Sequence, residues 1–227
     1  MLIPSILVNE HYEDRYFDVV NAIHEAKQVF FRGAKIIEKL AVQDTLIIGE
    51  TGFGSGRMLL AFLDYLKDNA ITNKRIIWNS VELHPLSLKR IREILNCFSD
   101  THAELITLLT SHYESLHING NGWYFCTIET GSCSLELRLR IGEALEMVTE
   151  LDRPCCAWFL DGHGPKKNPL IWRQELLNAI GTKTSANGTF ATYTVAGIVK
   201  RGLQNAGFTI STMPGCGGKK ESLCGWK

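Results

Sequence analysis

The chain has 227 residues, 45% of them hydrophobic, enough to fill the core of one large domain or two small ones without disulfide or metal staples. Lys+Arg and Asp+Glu balance at 24 each, so the formal net charge is zero; a polybasic nucleic-acid binder is excluded, and any such contact must come from a local patch. The N-terminal MLIPSILV lacks the charged n-region of a signal peptide, no stretch reaches the ~20 apolar residues of a membrane helix, and the seven cysteines contain no C-x-x-C pair; this fits a reducing cytoplasm and argues against a zinc or thioredoxin-type site.

Residues 9–32 are polar and aromatic, with Tyr12, Tyr16 and Phe17 leading into a helical stretch that ends near Phe31. This segment reads as an N-terminal lid or a packing arm, followed by a further helix and turn over 33–44. The expected organisation is therefore one domain, with an arm at 1–44 and a core at 45–227.

Thr45–Met58, TLIIGETGFGSGRM, predicts a buried strand, a tight turn and the start of a helix. Gly52, Gly54 and Gly56 permit positive φ and close approach of a ligand, and backbone N–H groups at the helix start can bond it. The spacing E-x-G-x-G-x-G, beginning at Glu50, departs from the G-x-G-x-x-G made for a pyrophosphate, which disfavours a nicotinamide-dependent oxidoreductase. It is similar to the first motif of class I S-adenosylmethionine (SAM) methyltransferases; the ordinary alternative is a glycine-rich turn.

Helix 55–68 follows, with Met58, Leu59, Phe62, Leu63 and Leu66 at helical spacing. Arg75–Val81 is a second strand ending at Glu82, where a carboxylate can accept two hydrogen bonds from ribose hydroxyls. Pro85–Cys97 begins a helix, and 99–120 carry a short helical pattern and a polar loop. Gly122–Glu129 and Ser134–Ile141 read as a hairpin around Thr130-Gly131-Ser132. Glu143 opens a helix to about Leu151; it either contacts an adenine amine or simply favours the helix dipole.

Cys155–Asp161 is an apolar run suited to a central parallel strand. Its tip, Asp161, faces the ligand crevice of such a sheet and leads into a stiff loop holding His163, Pro165, Lys166, Lys167 and Trp172. A helix at 169–180, a turn at Asn187-Gly188, strand 189–194, helix 196–206 with Lys200-Arg201, strand 208–212 and a short strand 222–225 complete the pattern. The fold class is α/β, a mostly parallel sheet with helices on both faces.

Three late segments, DGHGPKKNPLIW, TFATYTVAGIVKRGLQNAGF and GCGGKKESLCG, follow GETGFGSG and VELHP in that order. Together they make the chain resemble the methyltransferase domain of the MnmC family of tRNA wobble-uridine modification proteins, from the YFD stretch near residue 16 to the C-terminus. The resemblance implies a class I Rossmann-like sheet with a hairpin insertion. It implies SAM-dependent methylation of the amine of 5-aminomethyl-2-thiouridine in the tRNA anticodon. Bifunctional family members add a flavin-dependent oxidase that makes this amine; nothing in the sequence corresponds to it. Neither flavin nor metal is expected, and the oxidase is expected as a separate partner or a missing half.

By the same resemblance, Glu50, Gly52 and Gly54 contact SAM, Glu82 holds its ribose and Glu143 lies near its adenine. Asp161 and Pro165 flank the reacting methyl, with Asp161 orienting the amine or accepting its proton, and Tyr16 covers the site. Arg57-Met58 departs from a more usual Leu-Asn, Glu143 from Asp, and His163-Gly164 from a Phe/Ala-like pair. The basic pairs Lys166-Lys167, Lys200-Arg201 and Lys219-Lys220 form a phosphate patch if the fold brings them together. Trp172 or Tyr193 would stack on a splayed base, or else sit in the core. Two alternatives stay open: a methyltransferase for another amine, and a non-catalytic SAM-binding scaffold.

Overall fold

The computed structural model describes residues 8–9, 11–15, 22–131 and 133–227. Tyr16, expected to cover the site, lies outside the described residues. The elements in chain order are β1 (Val8–Asn9), β2 (Asp14–Arg15), α1 (Ala22–Glu25), a π-helical turn (Ala26–Phe31), α2 (Ile36–Val42), β3 (Thr45–Thr51), α3 (Arg57–Asp68), β4 (Arg75–Glu82), α4 (Leu88–Leu95), α5 (Ser99–Ser115), β5 (Gly122–Thr130), β6 (Cys133–Ile141), α6 (Ala144–Glu150), β7 (Cys155–Phe159), α7 (Gln174–Thr182), β8 (Thr184–Thr192), α8 (Gly197–Asn205), β9 (Thr209–Pro214) and β10 (Glu221–Trp226). No helix of the described residues is long and apolar enough to cross a membrane.

Eight strands form one sheet in the order β5-β6-β4-β3-β7-β8-β10-β9. β6, β4, β3, β7 and β8 pair in parallel, while β5 and β10 run against their neighbours. The chain leaves β3 toward β4 on one side and returns to β7 on the other. This reversal opens a crevice at the carboxyl ends of β3 and β7, the place where open α/β sheets bind ligands.

The central strands are buried on both faces, and their side chains divide with a period of two. Leu46 and Ile48 join Ile76 and Trp78 in the core under α1–α5, while Ile47, Ile77 and Val81 join Trp158 and Phe190 in the core under α6–α8. Gly49 is required between them, because a Cβ there would lie 2.2 Å from the Trp158 ring. Phe30 and Phe31 of the π-helical turn are buried in the first core, so this part of the expected arm packs as core.

Two boundaries differ from the sequence reading for local reasons. β8 starts at Thr184, and Asn187-Gly188 is a bulge inside it, with Asn187 at φ 60° and a register shift against Cys155 and Ala157. The expected helix 169–180 divides into a 3-10 turn at Pro169–Trp172 and α7, because Arg173 is extended at ψ 150°.

Candidate active site

The crevice encloses about 650 Å³, within the range of small-molecule sites. Its floor is the glycine loop between β3 and α3. Gly52, Gly54 and Gly56 have φ of 100°, 55° and 76°, and a Cβ on Gly52 would lie 2.6 Å from the Asp161 carbonyl oxygen. The loop's amides are already committed. Gly52 and Phe53 donate to the Val81 carbonyl, and Gly54 donates to Glu82 Oε2 at 2.8 Å. A loop whose amides meet a carboxylate is unsuited to cradling a pyrophosphate, and a neutral or cationic ligand fits it better.

Glu82 stands at the lip of β4, where its other oxygen accepts from the His84 amide at 2.9 Å, and it lines the crevice. Burial pushes its carboxyl above the usual range, with the His84, Gly54 and Leu83 amides pulling it back.

Glu50 occupies a different position from the one the motif implies. It is 1% exposed and does not line the crevice. Trp78 Nε1 and Ser80 Oγ donate to its Oε2 at 2.9 and 2.6 Å, and Oε1 has no hydrogen-bond partner. Burial raises its pKa to about 8 against these two donors.

Asp161 and Arg57 form the centre of the site. Arg57 opens α3 directly after the glycines and is 6% exposed. Its Nη2 donates to Asp161 Oδ2 at 2.7 Å, and its Nη1 donates to the Ala22 carbonyl at 2.8 Å. The departure from the family pattern at position 57 therefore supplies a cation directly to the expected amine-orienting carboxylate.

Glu143 stands at the start of α6 and on the crevice wall. It caps α6 by accepting from the Leu145 amide. Arg173 grips it with two donors, at 3.0 and 2.6 Å. Burial opposes its ionisation, but the Arg173 hydrogen bond and charge outweigh burial and hold the carboxyl below its usual range.

The β1–β2 hairpin closes one side of the crevice with Asn9, Tyr12 and Asp14. The Tyr12 ring lies 4.6 Å from the His163 ring, and His11 stacks on His84 at 4.1 Å. Asn9 Nδ2 meets His163 Nε2 at 3.1 Å, and His163 Nδ1 lies 3.5 Å from Asp14 Oδ2. Burial pushes the His163 pKa down, against the pull of Asp14. His163 thus ties the loop after β7 to the hairpin.

The remaining sequence candidates separate. Trp172 is 4% exposed, and its Nε1 donates to the His163 carbonyl at 2.8 Å. It belongs to the core under α6–α8, so it anchors the loop and offers no exposed face for a base to stack on. Lys167 and Lys219 line the crevice, and Lys220 lies beside a shallow depression adjoining Lys219. Lys166 is exposed next to Lys167, and Pro165 lies in the same loop outside the crevice wall. Lys200 and Arg201 belong to α8 and line neither depression, so the third basic pair does not join the other two there.

Among the described wall residues, the carboxylates of Asp14, Glu25, Glu82, Glu143 and Asp161 face the cations Arg57, Lys167 and Lys219. This balance favours a cationic ligand. Arg173, Glu25 and the hairpin contacts were not singled out from sequence, and Arg57 only as a departure from the family pattern, because each acquires its role through a partner distant in the chain.

A family model described as S-adenosyl-L-methionine-dependent methyltransferase matches residues 107–227, more than half of the chain. The tRNA 5-methylaminomethyl-2-thiouridine biosynthesis bifunctional protein MnmC of Caulobacter vibrioides is 35% identical over 216 residues, covering 95% of this chain and 36% of that protein. Its namesake in Chromohalobacter salexigens is 36% identical over 217 residues, covering 94% of this chain and 30% of that protein. The chain thus spans about a third of the length of these relatives. The crystal structure of MnmC2 from Aquifex aeolicus shares the fold, with a TM-score of 0.71 at 22% identity over 96% of this chain and 65% of that one. The chain belongs to the S-adenosyl-L-methionine-dependent methyltransferase family.

Proposed function

We propose that the protein transfers a methyl group from SAM to the aminomethyl nitrogen of 5-aminomethyl-2-thiouridine at the wobble position of tRNA. The observation that carries this reading is the 35% identity, across 95% of the chain, to proteins named for biosynthesis of the methylaminomethyl product. The crevice is consistent with it: Gly52 and Gly54 bring backbone without a side chain to its wall, and that wall is rich in carboxylates.

Glu82 would hold the ribose hydroxyls through its remaining lone pairs. Gly52 and Gly54 would let the methionine part pass close to the backbone, and Glu143 would sit by the adenine. Glu50 would act from below, fixing the β3–β4 ends through Trp78 and Ser80. SAM supplies an electrophilic methyl on a sulfonium. Asp161, with one oxygen held by Arg57, orients the acceptor amine with the other. Lys167, Lys219 and Lys220 would hold anticodon phosphates at the mouth. Alignment and exclusion of water supply most of the rate. A flavin-dependent oxidase, as a separate partner or as a further part of the same protein, would furnish the amine.

The test is to incubate the purified protein with SAM and tRNA carrying the aminomethyl nucleoside, then digest and analyse nucleosides by mass. Appearance of the methylaminomethyl form is the expected result. Its absence under conditions where SAM binds overturns the reading.

A further inference from the structure

We infer that Glu25 is a second catalytic carboxylate of the acceptor pocket, taking the proton that an alkylammonium must lose while Asp161 orients the amine. This rests on the proposed methyl transfer to an amine.

Glu25 ends α1, and the π-helical turn Ala26–Phe31 begins immediately after it. π-Turns are rare and concentrate at functional sites. Here the wider turn lets Glu25 and Phe30, five residues apart, both reach the crevice wall. The Glu25 side chain is 14% exposed, and its Oε1 lies 3.9 Å from Lys219 Nζ.

Glu25 and Asp161 line the same crevice, and two sets of contacts join the segments that carry them. In the first, the Arg57 guanidinium spans the Ala22 carbonyl, at the start of the four-residue helix that Glu25 ends, and Asp161 Oδ2. In the second, Lys219 lies 3.7 Å above the Tyr193 ring, and the Tyr193 hydroxyl donates to the carbonyl of Gly162, next to Asp161. Burial raises the Tyr193 pKa first, and the charges of Asp161, Asp14 and Glu25 raise it further. Among the described residues, the charged groups and histidines that share the crevice wall with Glu25 are Lys219, Lys167, Arg57, Asp161, Asp14, Glu82, Glu143, His84 and His163, with Lys219 beside it.

The chemistry calls for two acceptors. A primary ammonium has three N–H bonds and no lone pair. Asp161 Oδ2 is taken by Arg57, which leaves its other oxygen for one N–H. Glu25 accepts a second proton outright: an N–H bond breaks, an O–H bond forms, and the pair stays on nitrogen. The freed amine turns about its C–N bond and forms the new N–C bond to the methyl. The C–S bond breaks with its pair left on sulfur, giving a secondary ammonium and a neutral thioether. The Glu25 proton then passes to solvent.

The experiment compares Glu25→Gln with the parent on aminomethyl-tRNA across pH, with SAM binding followed by calorimetry. The expected result is a fall in kcat/KM of at least about tenfold, a shift of the half-maximal rate to higher pH, and SAM affinity within twofold of the parent. A parent-like rate and pH profile overturns the inference while leaving the proposed function intact. If Glu25→Gln fails to fold, Glu25→Asp serves: a slower rate with an unshifted pH profile supports the role, and a parent-like rate overturns it. A parent that binds SAM yet methylates no amine overturns the function and the Glu25 role together.

Discussion

Arg57 and Asp161, 104 residues apart in the chain, meet through a 2.7 Å charge-assisted hydrogen bond over the glycine loop. The pair joins the first βα turn of the sheet to the tip of β7, across the point where strand order reverses. The carboxylate expected to handle the acceptor amine is therefore positioned by the donor loop itself.

Replacing Arg57 with Met tests this linkage. Arg57→Met leaves the Ala22 carbonyl without its donor and Asp161 without its cation. Arg57 is 6% exposed, so the loss is expected at about 1–3 kcal/mol. Urea unfolding checks that figure. Methyl transfer is expected to fall more than SAM binding does, because the donor-side groups Glu82 and Gly54 are untouched. Equal losses in both would show that the pair only supports the fold.

Glu82 and Glu50 are both acids of the donor motifs, but they occupy different positions. Glu82 lines the crevice and takes the Gly54 and His84 amides; Glu50 is buried below the loop. Glu82→Gln is expected to weaken SAM binding by roughly tenfold or more, the scale of a lost charge-assisted hydrogen bond. Glu50→Gln is expected to change it little. Calorimetry on the two variants separates them, and the reverse order would place Glu50 at the ligand.

Much of this site was legible in the sequence. A short apolar run and the glycine spacing marked the β3–α3 unit, and the apolar run before Asp161 marked a central strand. Arg57 was not legible: an arginine at a helix start ordinarily reads as solvated, and only the fold brings Asp161 to it. Trp172 reads equally well as a stacking surface or as core until its indole N–H is seen on the His163 carbonyl. Lys200-Arg201 resembles the other basic pairs by composition, but α8 carries it away from the crevice wall. Residue types mark chemistry locally; which of them meet is fixed by contacts distant in the chain.

Glu50 also predicts a pH dependence of stability. Its folded pKa is about 8, against 4.5 for the free side chain, with burial as the main cause. The folded state keeps a proton that the unfolded state releases between these values. The group's stabilising contribution is therefore complete below about 4.5 and is lost as pH rises through about 8. Glu50→Gln removes this titration. The variant is expected to gain on the parent as pH rises through that window, by on the order of a few kcal/mol in full. Chemical denaturation at several pH values checks it, and parallel curves for the two proteins would refute it.

The proposed tRNA substrate gives the last prediction. Lys167 and Lys219 line the crevice, whereas Lys200 and Arg201 do not. Each phosphate contact releases counterions, so its loss lowers the dependence of binding on log salt by about 0.7 to 0.9. Replacing Lys167 and Lys219 with Ala is expected to raise the KM for tRNA and flatten its salt dependence. SAM affinity should be unchanged, because neither lysine touches the glycine loop or Glu82. Replacing Lys200 and Arg201 together is expected to alter neither quantity, since they do not line the crevice. Steady-state kinetics over a range of salt concentrations measures both variants. An equal flattening in the α8 variant would mean that the tRNA footprint extends across α8, beyond the crevice wall.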